Sequence, residues 1–143
     1  MSDLNVQKMA VRRVRAVCLP RGQCSVYLRR RFRGYRCIVP STVHQVFRKY
    51  CVDYTESRLQ CYALDNGGLY LAPTAQREMH LAMGPGRFSG VVPVNVAAIV
   101  ACAQAFGHLG HEVHELLFAG AYLQLREYIM AHPDRALIER IQA

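Results

Sequence analysis

Residues Tyr62 to Pro73 read YALDNGGLYLAP, and the Asn66-Gly67 pair at their centre lies between two short runs of alternating apolar residues. A two-residue loop between antiparallel strands needs positive φ at both central positions, and Asn followed by Gly tolerates that geometry best. The stretch therefore predicts a β-hairpin. Because side chains alternate with period two, the loop fixes a register: Asp65 faces Gly68, Leu64 faces Leu69, Ala63 faces Tyr70, Tyr62 faces Leu71 and Cys61 faces Ala72. Tyr62, Leu64, Leu69 and Leu71 then share one apolar face. Pro73 has no N–H for a ladder, so the second strand stops there or lies at an edge.

Outward from the hairpin, strands are expected near residues 58–64, 68–72, 77–83 and 87–92. Their breaks, Asn66-Gly67 and Gly84-Pro85-Gly86, are turn chemistry, which predicts an antiparallel meander. Upstream, MAVRRVRAVCLP (9–20) fits either a strand or a short helix, and SVYLRRRFRGYRCIV (25–39) reads as extended with a turn at Gly34. Pro40-Ser41-Thr42 opens a helix, with Ser41 as its cap and Val43, Val46, Phe47 and Tyr50 at helical spacing. Downstream, VAAIVACAQAF (96–106) is apolar on almost every face and predicts a buried central helix ending around Gly107. A second helix is expected over roughly Glu112 to Ala131, with Leu117, Ala121, Leu125 and Tyr128 on one stripe. Pro133 suits the first position of a last helix whose inner face is Leu137, Ile138 and Ile141. Strands followed by helices make an α+β fold: an antiparallel sheet of three to four strands packed against C-terminal helices.

At 143 residues and 16.2 kDa the chain fits one domain over 1–143, with residues 1–40 as a basic N-terminal arm. Its 52% hydrophobic and 20% charged residues are globular values. The start, MSDLNVQK, lacks an apolar signal core. The longest apolar run, near Val96 to Ala103, is far short of the roughly 20 residues a membrane span needs, so a soluble, cytoplasmic protein with no membrane partner is expected. The six cysteines form no C-x-x-C pair, and reduced thiols are expected rather than a zinc site. Charge is uneven. Residues 1–52 hold twelve Arg or Lys against Asp3 alone, whereas residues 53–143 hold six Arg against nine acids, for a net charge of +8. The N-terminal third attracts polyanions; the rest is an ordinary, slightly acidic surface.

HLGHEVHE (108–115) invites a metal reading, with His108, His111 and His114 spaced by three and Glu112 and Glu115 among them. The spacing argues against it. H-E-x-x-H works because ligands four apart share a helix face, whereas steps of three fan the rings around the axis. Gly107 and Gly110 point instead to a turn between helices, and no metal or other cofactor is expected. There is no G-x-S-x-G, no P-loop and no G-x-G-x-x-G ahead of a helix, and Asp53 and Glu56 read as loop charges. Catalysis and a small-molecule substrate are not indicated. YLRRRFRGYR (27–36) is richer: Arg29, Arg30, Arg31, Arg33 and Arg36 supply phosphate contacts while Tyr27, Phe32 and Tyr35 could stack on bases, as in single-stranded nucleic-acid binders. A solvated or partner-facing basic strand has the same letters.

YALDNGGLYLAP also resembles the Y-x-L-S-N-G-G-F-Y-M-A-P hallmark of the ArdB/KlcA antirestriction family, carried on plasmids and other mobile elements. Asp53-Tyr54 ahead of the hairpin, AAIVAC at 97–102, LREY at 125–128 and HPD at 132–134 agree in the same order, over about residues 43–143. The motif positions are Asp53, Tyr54, Tyr62, Asn66, Gly67, Gly68, Tyr70, Pro73, Arg126, Tyr128, His132 and Pro133. The resemblance implies inhibition of type I restriction–modification enzymes, protecting incoming DNA, by a protein that is not an enzyme. A chain at +8 is the electrostatic opposite of a DNA mimic. Binding then runs to the restriction complex, to DNA or to an accessory factor. The chain departs from the family's G-G-x-W-E-F-Y before the hairpin, having no tryptophan at all, and has Gln142 where an acidic residue often closes the chain.

Overall fold

The hairpin forms where the Asn-Gly signal places it, between β2 (Leu59–Leu64) and β3 (Leu69–Pro73). Its register differs from the two-residue expectation by one residue: Ala63 faces Leu69, Tyr62 faces Tyr70 and Cys61 faces Leu71. The loop has three residues, Asp65-Asn66-Gly67. It is closed by Gly67 N–H to Leu64 O at 3.0 Å and Leu64 N–H to Gly68 O at 2.9 Å, with Gly67 in the left-handed region at φ 91°. Asp65 leaves the hairpin because β1 (Ala16–Cys18) claims it. Its N–H donates to Arg15 O at 3.0 Å, and its Oδ1 accepts from Arg15 N at 3.2 Å. The slip moves Tyr62 and Tyr70 onto one face and Leu69 and Leu71 onto the other. No apolar residue is thereby exposed, because all five residues of β3 are buried.

The computed structural model describes residues 13–143; Lys8 and Arg12 of the expected arm lie outside the described residues. After β1 come α1 (Gln23–Phe32), a 3-10 turn at Arg33–Tyr35 and α2 (Ile38–Tyr50). Past the hairpin follow β4 (Glu78–Ala82), β5 (Ser89–Pro93), α3 (Val94–Val113), α4 (Leu116–Met130) and α5 (Arg135–Gln142). The fold is α+β. The strands expected at 77–83 and 87–92 are present, but they pair only with each other; the third strand of the main sheet is β1, in the order β1-β2-β3. A bridge from Cys51 to Leu81 ties the β4-β5 hairpin to the end of α2.

Pro73 ends β3, and β3 is also an edge strand, as its missing N–H requires. That edge is not left to solvent. α3 lies along it, and the Cys102 thiol satisfies both outward-pointing backbone groups of Leu71, accepting from its N–H at 3.2 Å and donating to its C=O at 3.5 Å. Burial pushes this thiol up to about 12, so it stays protonated and able to donate. Small residues on α3 (Ala97, Ala98, Ala101, Ala105) permit the approach, and every residue from Val96 to Ala103 is buried. This is the central buried helix expected from its all-round apolar sequence.

Several elements depart from expectation. Residues 25–32 are helical, not extended: Leu28 and Phe32 at i, i+4 are the buried stripe of α1, and Arg29, Arg30 and Arg31 in its last turn complement the helix dipole. α2 begins at Ile38, before Ser41. Pro40 then sits in the first turn, where no N–H is needed. α3 runs through Gly107 and Gly110 to Val113, because these glycines serve packing; a Cβ on Gly110 would lie 3.7 Å from Phe118 Cβ on α4. The reversal falls instead at His114, at φ 61°. α4 accordingly starts at Leu116. α5 starts at Arg135, two residues after Pro133, with Ile138 and Ile141 buried and Leu137 half-buried. Among the described residues no helix is long and apolar enough to cross a membrane.

If the thiol covers the sheet edge as described, Cys102→Ala strands a buried N–H and C=O and lowers stability by about 2 kcal/mol, or roughly 6 °C in Tm. Cys102→Ser keeps donor and acceptor at similar size and loses less. Equal losses in thermal unfolding of the two variants would contradict the hydrogen-bonding role.

Candidate functional site

The Asn66-Gly67-Gly68 turn is bolted to two helices. Asn66 Nδ2 donates to Gln124 O at 2.9 Å and Glu127 Oε1 at 2.8 Å, while its Oδ1 accepts from Gly68 N at 3.0 Å. Gln124 Nε2 returns a bond to Asn66 O at 2.9 Å. From α1, Tyr27 OH donates to Gly68 O at 2.8 Å, and Arg31 donates to Gln124 Oε1 at 2.9 Å and Leu117 O at 3.3 Å. Burial lowers the Arg31 guanidinium from its ordinary range and raises the Tyr27 phenol. Gly68 is required by contact: a Cβ there would lie 2.7 Å from Gln124 Cβ. The second glycine of the motif is thus where β3 and α4 touch.

Beside the turn, one face of the sheet carries a ladder of rings. Tyr62 stacks on Tyr70 with centroids 4.8 Å apart and planes 1° from parallel, Tyr70 stacks on Tyr128 at 5.9 Å, and Tyr128 meets His132 edge-on at 5.2 Å. Asn95, at the start of α3, donates to Tyr70 OH at 2.8 Å, and burial raises the Tyr70 phenol. His132 Nδ1 accepts the Asp134 N–H at 2.9 Å, which needs the neutral ring, and burial lowers its pKa. Two open clefts flank the ladder. One, of about 420 Å³, lies between Arg13, Arg15 and the Tyr128, His132, Pro133 corner; the other, of about 460 Å³, is lined by Tyr62, Gln76, Arg77 and Asn95 among others. Arg126 sits half-exposed on α4, 3.8 Å from Glu139 of α5.

Asp53 and Tyr54 anchor the segment after α2. Asp53 Oδ1 accepts from Cys51 Sγ and from His80 N, each at 3.0 Å, and these bonds hold its carboxyl below its ordinary range. Tyr54 stacks on Phe47 at 5.1 Å and its hydroxyl bonds His44 Nδ1; burial pushes this phenol up to about 12. Glu56 pairs with Arg48 at 2.7 Å.

The basic stretch divides by helix face. Arg29, Arg30, Arg33 and Arg36 are exposed, and none of them forms an ion pair among the described residues. Arg31 turns inward to Gln124. Phe32 is fully buried between Phe106, at 5.8 Å, and Phe118, at 5.6 Å, so it has no face to offer a base. Tyr35 packs edge-on against Phe118 and donates to Glu115 Oε1 at 3.2 Å. The alternation that suggested bases on one side and phosphates on the other is core on one side and solvent on the other. Among the described residues no group of three or more His, Cys, Asp or Glu side chains is placed to hold a metal.

The family model described as "Antirestriction protein" matches residues 52–142, a span that holds the turn, the ring ladder and α4, but not α1 with Tyr27 and Arg31. The chain belongs to this antirestriction family. It is 30% identical to the antirestriction protein KlcA of Escherichia coli over 102 residues, covering 68% of this chain and 72% of that one. It is 27% identical to the uncharacterized protein YfjX of E. coli K12 over 95 residues, covering 65% of this chain and 62% of that one. A solved KlcA/ArdB structure superposes with a TM-score of 0.83 at 26% identity, over 92% of this chain and 96% of the other. That work describes a novel fold and antirestriction activity against type I DNA restriction systems in vivo but not in vitro. The structural likeness therefore reaches into the N-terminal elements that the family model leaves out.

Sequence reading missed Gln124 and Glu127, and it gave Tyr27 to base stacking and Arg31 to phosphate contact where the structure has them brace the turn. The signal was present: Cys24, Tyr27, Leu28, Arg31, Phe32 and Tyr35 recur at steps of three and four.

The close approach at Gly68 predicts that Gly68→Ala costs about 2 kcal/mol by overpacking. Gln124→Gly in the same chain should recover part of that loss, so the double variant is more stable than the sum of the singles by about 1 kcal/mol; strict additivity in denaturant unfolding would refute the contact. A second expectation concerns pH. The folded-state pKa of His132 lies below the ordinary histidine value, so the unfolded chain binds more protons. Stability is full above about pH 6.5 and falls as pH drops below it, until the folded-state ring is also protonated. Replacing His132 with Asn should flatten the fall in stability below about pH 6.5.

Proposed function

We propose that the protein is an antirestriction factor that acts against type I restriction–modification systems and so protects mobile-element DNA. It works as a single domain, as an inhibitor rather than an enzyme, and without imitating DNA. The observation that carries this reading is the likeness, at a TM-score of 0.83 over 92% of the chain, to proteins with antirestriction activity against type I systems in vivo. Electrostatics supports the last clause. A DNA mimic must present dense negative charge, whereas this chain carries a net +8 and an exposed row of arginines on and after α1. The motif side chains support the inhibitor clause: Asp53, Tyr70 and His132 spend their polar atoms on anchoring bonds to the fold.

The partner is the restriction complex, reached directly or through another cellular component. The related proteins' activity in vivo but not in vitro favours a route that needs the living cell. Such a target places the protein in the cytoplasm. A second reading, nucleic-acid binding, draws on Arg29, Arg30, Arg33 and Arg36, whose exposed guanidinium groups lack ion-pair partners among the described residues.

Plating of unmodified phage on hosts with type I systems, with and without the protein expressed, tests the main reading. Expression should raise plating by an order of magnitude or more on at least one type I family. No gain across several families would contradict it. The variant with Arg29, Arg30, Arg33 and Arg36 changed to Ser should retain the gain; loss of the gain together with loss of salt-sensitive DNA binding would favour the second reading.

A further inference from the structure

Of the two clefts beside the ring ladder, the one of about 460 Å³ has walls that the fold already braces. Arg77 C=O accepts from Val94 N–H at 2.8 Å, which ties one rim to the start of α3. Thr74 N–H donates to Arg58 O at 3.1 Å. Gln76 donates from Nε2 to Asp53 O at 3.0 Å and accepts at Oε1 from Thr55 N–H at 3.1 Å, so the 74–77 segment is held at both ends. The floor is the sheet face that carries the ladder. Gln60 and Tyr62 share it at i, i+2 on β2, and across from Gln60 stands Ala72, whose methyl group leaves room where a further ring of the ladder would lie.

Four groups in this cleft have chemistry that the fold does not use. Tyr62 is half-buried and has one ring neighbour, Tyr70, stacked at 4.8 Å with planes 1° from parallel, so it is the open end of the stack. Among the described residues neither the Gln60 amide nor the Arg77 guanidinium has a bonding partner. Asn95 spends Nδ2 on Tyr70 OH at 2.8 Å and keeps Oδ1 as an unspent acceptor. Among the described residues no carboxylate lines the cleft, so its local field favours an anion.

We propose that this cleft binds a free nucleoside monophosphate, with adenine the base that fits best. The base stacks on Tyr62 and extends the ladder by one ring. Gln60 offers a donor and an acceptor side by side, the pattern that adenine N7 and its amino group match. Arg77 forks onto the phosphate oxygens, and Asn95 Oδ1 accepts from a ribose hydroxyl. The volume lies in the range of small-molecule sites. Arg77 is the one cation in the lining among the described residues, which suits a single phosphate rather than the several of a strand. This inference stands on the cleft and is independent both of the antirestriction reading and of the arginine row on α1.

The test titrates the full chain with AMP and with ribose-5-phosphate at constant ionic strength while NMR follows the backbone amide shifts. AMP should shift residues 60–62, 72–77 and 93–95 saturably, and ribose-5-phosphate, which lacks the base, should bind about tenfold or more weakly. Tyr62→Leu and Gln60→Leu should each weaken AMP by about tenfold and leave ribose-5-phosphate unchanged. Arg77→Ser should weaken both ligands and leave adenosine unchanged. The proposal is overturned by the absence of a saturable shift up to about 10 mM AMP, by ribose-5-phosphate binding as tightly as AMP, or by AMP shifts centred on Arg29 to Arg36. It is also overturned if an adenylate pentanucleotide moves the cleft amides at a tenfold lower concentration than AMP, which would assign the site to a strand. All of these are read on the unmodified chain, without any variant having to fold.

Discussion

A two-sided strand that ends in proline leaves an edge that must be covered, and the whole molecule is arranged around that necessity. β3 is buried along its full length, yet only β2 pairs with it. Its outward backbone groups would cost about 1–3 kcal/mol each if left bare. α3 takes the place a fourth strand would occupy, with Cys102 supplying one donor and one acceptor to Leu71. Only a helix lined with Ala97, Ala98, Ala101 and Ala105 can come so close, which is why its sequence is both apolar and small. Once α3 is committed there, β4 and β5 cannot extend the sheet and pair with each other instead.

The same economy explains the most distinctive motif. Asn66, Gly67 and Gly68 form a turn, but the turn is also a fastener: Asn66 spans to Gln124 and Glu127, Gly68 admits Gln124 against the strand, and Tyr27 and Arg31 close the assembly from α1. The ring ladder from Tyr62 to His132 continues this contact along the sheet face to the start of α5. These residues hold the elements in place. What they leave open to solvent is the pair of clefts beside the ladder and the arginine-rich outer face of α1.

Much of this was legible in the sequence, and the failures have identifiable physics. The Asn-Gly hairpin, the edge position of Pro73, the buried VAAIVACAQAF helix and the inner face of the last helix all follow from local rules. The register slipped by one because Asp65 pairs with Arg15, fifty residues away, and no local turn rule sees that partner. YLRRRFRGYR misled because its letters fit period two and period 3.6 alike; the helix wins through Phe32 packing on Phe106 and Phe118, contacts that exist only in three dimensions. Gly107 and Gly110 read as breaks because a glycine that ends a helix and one that lets two helices touch look the same in sequence. Of the candidate site, the motif positions could be named, but their partners Gln124 and Glu127 could not, and Tyr27 and Arg31 were read as nucleic-acid contacts where they in fact brace the turn.

The account rests on α3 serving as the covering element for the β3 edge. Native-state hydrogen exchange at the Leu71 amide measures this directly. With its N–H buried and bonded to Cys102, the amide should exchange only through global unfolding, at the same opening free energy as the β2-β3 ladder amides and with the same denaturant dependence. Exchange at Leu71 through a low-energy local opening, while the Tyr62 and Tyr70 amides remain protected, would show that the helix does not seal the edge.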